Sequence, residues 1–402
     1  MTPVATQTCA PAIIPEPATL TLRTEIVFGA GEIAQLGHLA HRCGGNRVLI
    51  VTDPGIVRAG HVQRAEDILL DCGLAVARYD RVVENPTTSV VDQCVALARS
   101  HQADLLVGLG GGSSIDTAKG CNFLLTGGGR MEDYWGRGKA TRPMLPLIAV
   151  PTTAGTGSEC QSYALISQEA THAKMACGDP KAAPRVAILD PELTRTQPRA
   201  VAAATGLDAL SHAVESAVTT ARNPFSQLFS REAFRRCSRS FLGVLADSDD
   251  IDALGDMLLA AAFAGLAIEN SMLGAAHAAA NPLTARFGIM HGQAVAMMLP
   301  HVVRFNSQID NACRIYAELA TDACLVPADT DPISAAESLA AFLESTLRAA
   351  DGAVSLADLG VYELPLESLA EEAARQWTAR FNPRPVAIDD FIDIYRQVSA
   401  PA

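Results

Sequence analysis

What is missing from this chain narrows its class before any motif is considered. Ten cysteines are scattered along 402 residues without a Cys-x-x-Cys pair. A disulfide scaffold or a zinc ribbon would cluster them, so the composition points to reduced thiols in a cytoplasmic protein. Lys and Arg number 31 against 44 Asp and Glu, for a net charge of −13, and no basic cluster occurs. An anionic partner such as nucleic acid or an acidic membrane surface is therefore excluded. The longest apolar run, Met257 to Ile268, is too short to span a bilayer, which predicts no membrane segment. The first residues carry no basic n-region and no compact apolar block, so 1–19 read as a disordered or extended tail rather than a signal peptide. Apolar residues at 49% and charged residues at 19% leave a chain able to bury a large core, most simply as two domains.

The first half alternates strand and helix signals. Arg47 to Thr52 is a β-branched run ended by the turn Asp53-Pro54-Gly55. Leu74 to Val83 reads as a strand and Val90 to Arg99 as a helix. Ala103 to Leu109, Leu145 to Val150 and Arg185 to Leu189 are further strands. Strands separated by helices imply a parallel sheet with ligands at its carboxyl edge. From about Pro198 strand runs vanish and an Ala-rich helical pattern continues to the end. These features predict an α/β dinucleotide-binding domain over 20–197 followed by an all-α domain over 198–402.

Two loops carry chemistry. Gly110-Gly-Gly-Ser113 lies between a buried strand and a helix start. Glycine lets the backbone approach a pyrophosphate, and a helix N-terminus offers free N–H groups. The spacing is not Gly-x-Gly-x-x-Gly, and a plain tight turn is the alternative. Ser113 is expected to cap the following helix, with Asp116 as a capping-box partner. The second loop, Pro151-Thr-Thr-Ala-Gly-Thr-Gly-Ser-Glu159, offers hydroxyls to a nucleotide or to solvent. Asp53, at a strand end, is placed to accept from an adenosine ribose and to repel a 2′-phosphate. It would equally serve as a turn starter.

The second half holds Asp208 and His212, spaced i, i+4 and so on one helix face, and His277 and His291 further on. One carboxylate with three imidazoles suits Fe(II) or Zn(II) and suits Mg or Ca poorly. A lone histidine is more often a satisfied core residue. The Ala-rich flanks of His212 and His277 weigh against that, because an uncompensated ring there is costly. Spacing alone does not bring the two pairs together.

Taken with Gly206-Leu-Asp-Ala-Leu-Ser-His-Ala-Val-Glu-Ser216, His277 to Gly292, Leu299 to Asn306 and Asn382-Pro-Arg384, these motifs make the chain resemble the iron-containing (group III) alcohol dehydrogenase family over nearly its whole length. The resemblance implies a dehydroquinate synthase-like architecture. It implies that Asp208, His212, His277 and His291 bind Fe(2+), with Zn(2+) in some members. It implies that Gly111, Gly112, Ser113 and Asp116 hold the pyrophosphate of NAD. Thr152, Thr153, Thr156, Ser158 and Lys174 would contact the cofactor, Asp53 its adenosine ribose and Asn85 its nicotinamide half, with Tyr163 facing a substrate pocket. The chain departs from the family at Asn281, where members commonly carry a second histidine in His-x-x-x-His-Pro; a proton-relay imidazole is replaced by an amide.

The activity so implied is hydride transfer between a small alcohol or aldehyde and NAD, in a homodimer or higher homo-oligomer. A lyase or dehydrogenase of the same architecture acting on a phosphorylated substrate would need several Lys or Arg near the ligands, where the sequence offers Arg286. A non-catalytic structural subunit is the remaining alternative, opposed by the intact ligand set.

Overall fold

The computed structural model describes residues 18–170 and 173–399; all but two residues of the expected N-terminal tail lie outside them. Nine strands occur among the described residues: β1 (Glu25–Phe28), β2 (Arg47–Val51), β3 (Ala75–Tyr79), β4 (Leu105–Gly110), β5 (Gly136–Arg137), β6 (Leu147–Pro151), β7 (Tyr163–Ser167), β8 (Lys174–Gly178) and β9 (Val186–Leu189). Six form one sheet in the order β1-β9-β6-β4-β2-β3, parallel throughout. Its central strands are buried on both faces, which is why β2, β4, β6 and β9 read as continuous apolar runs. Between them run α1 (Leu36–Arg42), α2 (Pro54–Arg58), α3 (His61–Asp71), α4 (Thr88–His101) and α5 (Gly112–Gly127). α1 and α3 cover one face through Leu36, Leu39, Val62 and Leu69; α4 and α5 cover the other through Val91, Val95, Ala118 and Phe123.

After β2 the chain moves outward to β3 and then returns to β4 on the other side of β2. The sheet therefore has a switch point between β2 and β4, where connections leave toward opposite faces and open a crevice at the carboxyl edge. The sequence did not reveal β1, nor the small second sheet in which β5 pairs parallel with β8 and β7 antiparallel with it. These segments are short or interrupted by polar residues, so no period stands out.

Helices make up the rest: α6 (Arg199–Val218), α7 (Pro224–Ala246), α8 (Ile251–Glu269), α9 (Ala275–Phe287), α10 (His291–Asn306), α11 (Asp310–Asp322), α12 (Pro332–Ala349), α13 (Leu366–Arg375) and α14 (Ile388–Ser399). α8 is longer than the apolar run within it. It has the length and hydropathy to cross a membrane, but 72% of it is buried inside the protein, against its helical neighbours and the edge of the sheet. The two halves meet where Ala187 and Leu189 of β9 pack on Ala262 and Leu266 of α8.

Candidate metal centre and nucleotide crevice

The glycine loop sits at the switch point. α5 starts at Gly112 with Gly111 as its flanking residue, two positions earlier than a Ser113 cap requires. Ser113 is inside the first turn; its hydroxyl caps nothing and has no partner among the described residues. Two side chains without volume, Gly111 and Gly112, are needed here because the second loop leans on them. A Cβ on Gly112 would lie 2.7 Å from Thr156 Oγ1, and one on Gly111 would lie 3.3 Å from Thr153 Oγ1. Gly110 has φ +147° and faces Asp53, whose Oδ2 would lie 3.3 Å from an added Cβ. Asp53 does start a turn: its Oδ1 caps α2 by accepting from the N–H groups of Gly55 and Ile56. Its second oxygen is left facing the glycine loop. Thr152 donates its N–H to Gly110 O, and its buried hydroxyl has no partner.

Asp116 and Ser158 are bonded to each other across the two loops. Ser158 Oγ donates to Asp116 Oδ1 at 2.5 Å, and the N–H of Leu165 donates to Asp116 Oδ2 at 3.0 Å. Lys119 donates to Ser158 Oγ, Ser158 O and Tyr163 O at 2.7–2.8 Å. Both side chains are thus engaged inside the protein, where they hold the second loop. Asn85 adopts φ +50° in the loop before α4, a region that asparagine tolerates. Its neighbour Pro86 accepts from Ser167 N at the end of β7. Lys174 starts β8; burial lowers its pKa, opposed by the charges of Asp208, Asp116 and Glu84. It is thus within electrostatic reach of Asp208 in the ligand cluster and of Asp116 on α5.

Glu159, fully buried beside Lys119 and Asp116, was not flagged by the sequence. Burial pushes its pKa up to about 7, and one of its oxygens has no hydrogen-bond partner. Unfolded, it ionises near 4.5. Between these values the folded state keeps a proton that the unfolded state has lost, so stability falls as pH rises from about 4.5 to about 7. Glu159→Gln removes that slope. Relative to wild type it should gain on the order of 3 kcal/mol between pH 4 and pH 8. Urea unfolding at both pH values checks this, and an equal difference at each would sink it.

The ligand residues converge. α6 presents Asp208 and His212 one turn apart, α9 carries His277 in its first turn, and α10 begins at His291. α10 can approach α6 because Gly292 has no Cβ; an added one would lie 1.9 Å from Ala204 O. Asp208 Oδ1 is 3.5 Å from Nε2 of His212 and 3.5 Å from Nε2 of His277. Asp208, His277 and His291 offer ligand atoms within 4.8 Å of one another. The His212 and His277 rings stack at 4.8 Å, and those of His277 and His291 meet edge-on at 5.4 Å.

A tetrahedral ion with bonds of about 2.1 Å separates its ligand atoms by about 3.4 Å, so this spacing fits a divalent transition metal. Asp208 Oδ1 and His277 Nε2 are buried without hydrogen-bond partners, as expected of atoms reserved for an ion. Burial opposes the Asp208 charge, yet the three histidines hold its pKa below the usual carboxylate range. Burial depresses His212 to about 4 and lowers His291 well below its ordinary value, the latter helped by the Lys174 ammonium. Burial also works against protonating His277, but the neighbouring carboxylates of Asp208 and Glu215 raise it to about 9.

One loop joins crevice and cluster. In Thr152–Ser158, Gly155 packs against Thr205 of α6, where a Cβ would meet Thr205 O at 2.5 Å, and Gly157 packs against Gly265 of α8, where a Cβ would meet Gly265 Cα at 2.6 Å. The backbone of Gly155 also lies beside His212. Asn281, one turn beyond His277, donates from Nδ2 to Gln376 Oε1 at 3.1 Å. Tyr163 packs on Trp377, ring centroids 5.5 Å apart, and on Gly178. The adjacent residues Gln376 and Trp377 thus tie Asn281 and Tyr163 to one strap. Arg286 pairs with Glu372 and Ser368 at the surface. His301, in Leu299 to Asn306, pairs with Gln397.

Fold and site define a class: a doubly wound sheet with a glycine cradle, joined by one loop to a helical block holding a metal-ligand cluster. Residues 23–191 match the family described as Iron-containing alcohol dehydrogenase, and residues 202–399 match the Fe-containing alcohol dehydrogenase family, C-terminal. The chain belongs to the iron-containing alcohol dehydrogenase family. It is 34% identical to Alcohol dehydrogenase 4 of Schizosaccharomyces pombe, over 92% of this chain and 86% of that one. It is 32% identical to the NAD-dependent methanol dehydrogenase of Bacillus methanolicus, over 92% and 97%. Among solved structures, the alcohol dehydrogenase from Oenococcus oeni superposes with a TM-score of 0.91 at 29% identity, over 95% of this chain and all of that one.

Proposed function

We propose that this chain is a metal-dependent, NAD-linked alcohol dehydrogenase that also reduces the corresponding small aldehydes. The observation that carries the reading is the shared loop: Thr153 and Thr156 close on the glycine cradle while Gly155 packs on the helix bearing Asp208 and His212. Cofactor and ligand cluster then lie on opposite sides of one short segment, as hydride transfer requires. Relatives named alcohol dehydrogenase and NAD-dependent methanol dehydrogenase support the same reading. One carboxylate and three imidazoles favour Fe(2+), with Zn(2+) as the alternative occupant.

When bound, the metal supplies Lewis-acid polarisation of an alcohol or carbonyl oxygen, and NAD takes or returns the hydride. The residues of the chain do the rest. Gly111 and Gly112 let backbone amides at the start of α5 approach a pyrophosphate, which the helix N-terminus favours. Thr152 offers a buried hydroxyl without a partner, and Asp53 Oδ2 offers an acceptor to a ribose. Lys174 places a cation between the two half-sites, and Asn85 lines the same side. Tyr163 and Trp377 form an aromatic wall that excludes water. Asn281 has no ionisation near neutrality, so the substrate proton passes to water rather than to an imidazole at this position. The surface pairing of Arg286 removes the one cation that the phosphorylated-substrate reading relied on.

Asp53 supplies the test of cofactor choice. Wild type should prefer NAD over NADP, and Asp53→Gly should relax the preference by on the order of 1–3 kcal/mol, through loss of a close charge–charge penalty. The measurement is kcat/KM for both cofactors, in iron-loaded protein screened over short alcohols, diols and aldehydes. An unchanged ratio would leave Asp53 a helix cap only. Nine unpaired cysteines among the described residues are consistent with a cytoplasmic location. A homodimer or higher homo-oligomer is the assembly we expect sedimentation to report.

A further inference from the structure

α9, which carries His277 in its first turn, has no N-terminal cap of its own. Gly274 precedes it and offers no side chain. Its first three N–H groups would be orphaned in a buried place, a costly arrangement unless other elements supply acceptors. They do. Ala275 N donates to Asn382 Oδ1 at 3.2 Å, Ala276 N to Glu215 Oε1 at 2.7 Å and His277 N to Glu215 Oε2 at 3.3 Å. Glu215 Oε2 also meets His277 Nδ1 at 2.5 Å. Glu215 lies on α6, seven residues after Asp208 and three after His212, so all three share one helix face.

Asn382 is held in turn by a closed amide pair. Asn382 Nδ2 donates to Asn306 Oδ1 at 2.7 Å, and Asn306 Nδ2 donates back to Asn382 Oδ1 at 3.1 Å. Asn306 Nδ2 reaches Tyr316 Oη, and Asn382 Nδ2 reaches Arg384 O. Arg384 lies over the Phe305 ring at 3.7 Å and donates to Phe305 O. Asn306, Asn382, Tyr316 and Glu215 are each at most 3% exposed. Two motifs distant in sequence, ending at Asn306 and beginning at Asn382, therefore meet as one buried device behind the ligand cluster.

We infer that Glu215 and the Asn306–Asn382 pair are positioning residues for the metal centre. The Glu215 carboxylate accepts a hydrogen bond from Nδ1–H of His277 and so leaves the Nε2 lone pair free for an ion shared with Asp208. Glu215 and Asn382 together fix where the first turn of α9 sits. This rests on the metal centre proposed above, but not on the identity of the alcohol.

The test uses the full chain, stripped with a chelator and titrated with Zn(II) against a competing chelator. The same proteins are loaded with Co(II) for its ligand-field spectrum, and the stripped proteins are melted. Glu215→Gln keeps the shape but turns a donor toward His277 Nδ1 or toward the α9 amides. It should weaken Zn(II) binding roughly 10- to 100-fold and shift the Co(II) bands. Asn382→Leu alone leaves Asn306 Oδ1 and the Ala275 N–H without their partners and is expected to cost stability. The double variant Asn306→Leu/Asn382→Leu removes both partners, so stability should recover in part while Zn(II) affinity stays several-fold low.

Wild-type affinity in Glu215→Gln, with metal lost in His277→Ala, overturns the positioning role and leaves the metal centre standing. Metal lost from neither variant overturns both. Affinity restored to wild type in the double leucine variant reduces the asparagine pair to a purely structural role.

Discussion

His277→Ala is expected to lose its bound metal and its alcohol-dependent NADH formation together, to below about 1% of wild type, while remaining folded. The helices that carry the ligands share one large apolar core, and removing one ligand from a site so held lowers metal affinity severely. His277 is also the most connected ligand: its Nε2 is 3.5 Å from Asp208 Oδ1, and its Nδ1 is held by Glu215. Truncation frees a buried carboxylate on each side, so some stability is lost in the stripped protein as well. Elemental analysis after anaerobic iron loading, with circular dichroism to confirm the fold, measures both parts. One equivalent of metal retained would remove His277 from the ligand set. Asp208→Ala should behave in the same way.

Gly112→Ala attacks the other half-site with one methyl group. Its Cβ would lie 2.7 Å from Thr156 Oγ1 and Cγ2 and 3.0 Å from Thr156 Cβ. Rotation of the threonine cannot relieve the last contact, so the second loop must move away from the start of α5. That loop also packs on α6 through Gly155 and on α8 through Gly157. A displacement near 1 Å at the reacting centre costs on the order of 10²-fold in rate. The variant should bind metal normally, show a raised KM for NAD and lose about two orders of magnitude in kcat/KM. Unaltered kinetics would mean that the glycine loop is a tight turn and holds no pyrophosphate. Because His277→Ala loses metal and Gly112→Ala keeps it, the two variants separate the half-sites.

Much of this arrangement was legible in the sequence. The strands β2, β4, β6 and β9 announced themselves because burial on both faces demands uninterrupted apolar runs. The helical half did so because Ala-rich stretches with no strand period leave few alternatives. Asp208 and His212 could be paired on spacing, since i, i+4 residues share a helix face whatever surrounds them. The second sheet was not legible. β7 and β8 are five residues each, carry mixed patterns, and pair with one another and with β5.

Local sequence determined which residue types were available: glycines able to sit under a threonine loop, a carboxylate with three imidazoles, and an amide at 281 in place of an imidazole. Tertiary structure decided which of them act. Asp116 and Ser158 stand in motifs that suggest ligand contact, and packing brings them to each other and to Lys119, because a buried ammonium must be matched. Glu215 was one unremarked letter in a helix until folding brought the uncapped start of α9 against it. The meeting of His277 with Asp208, 69 positions earlier, was likewise decided by packing. Spacing codes only for neighbours along one element, whereas contacts between elements depend on how their faces pack.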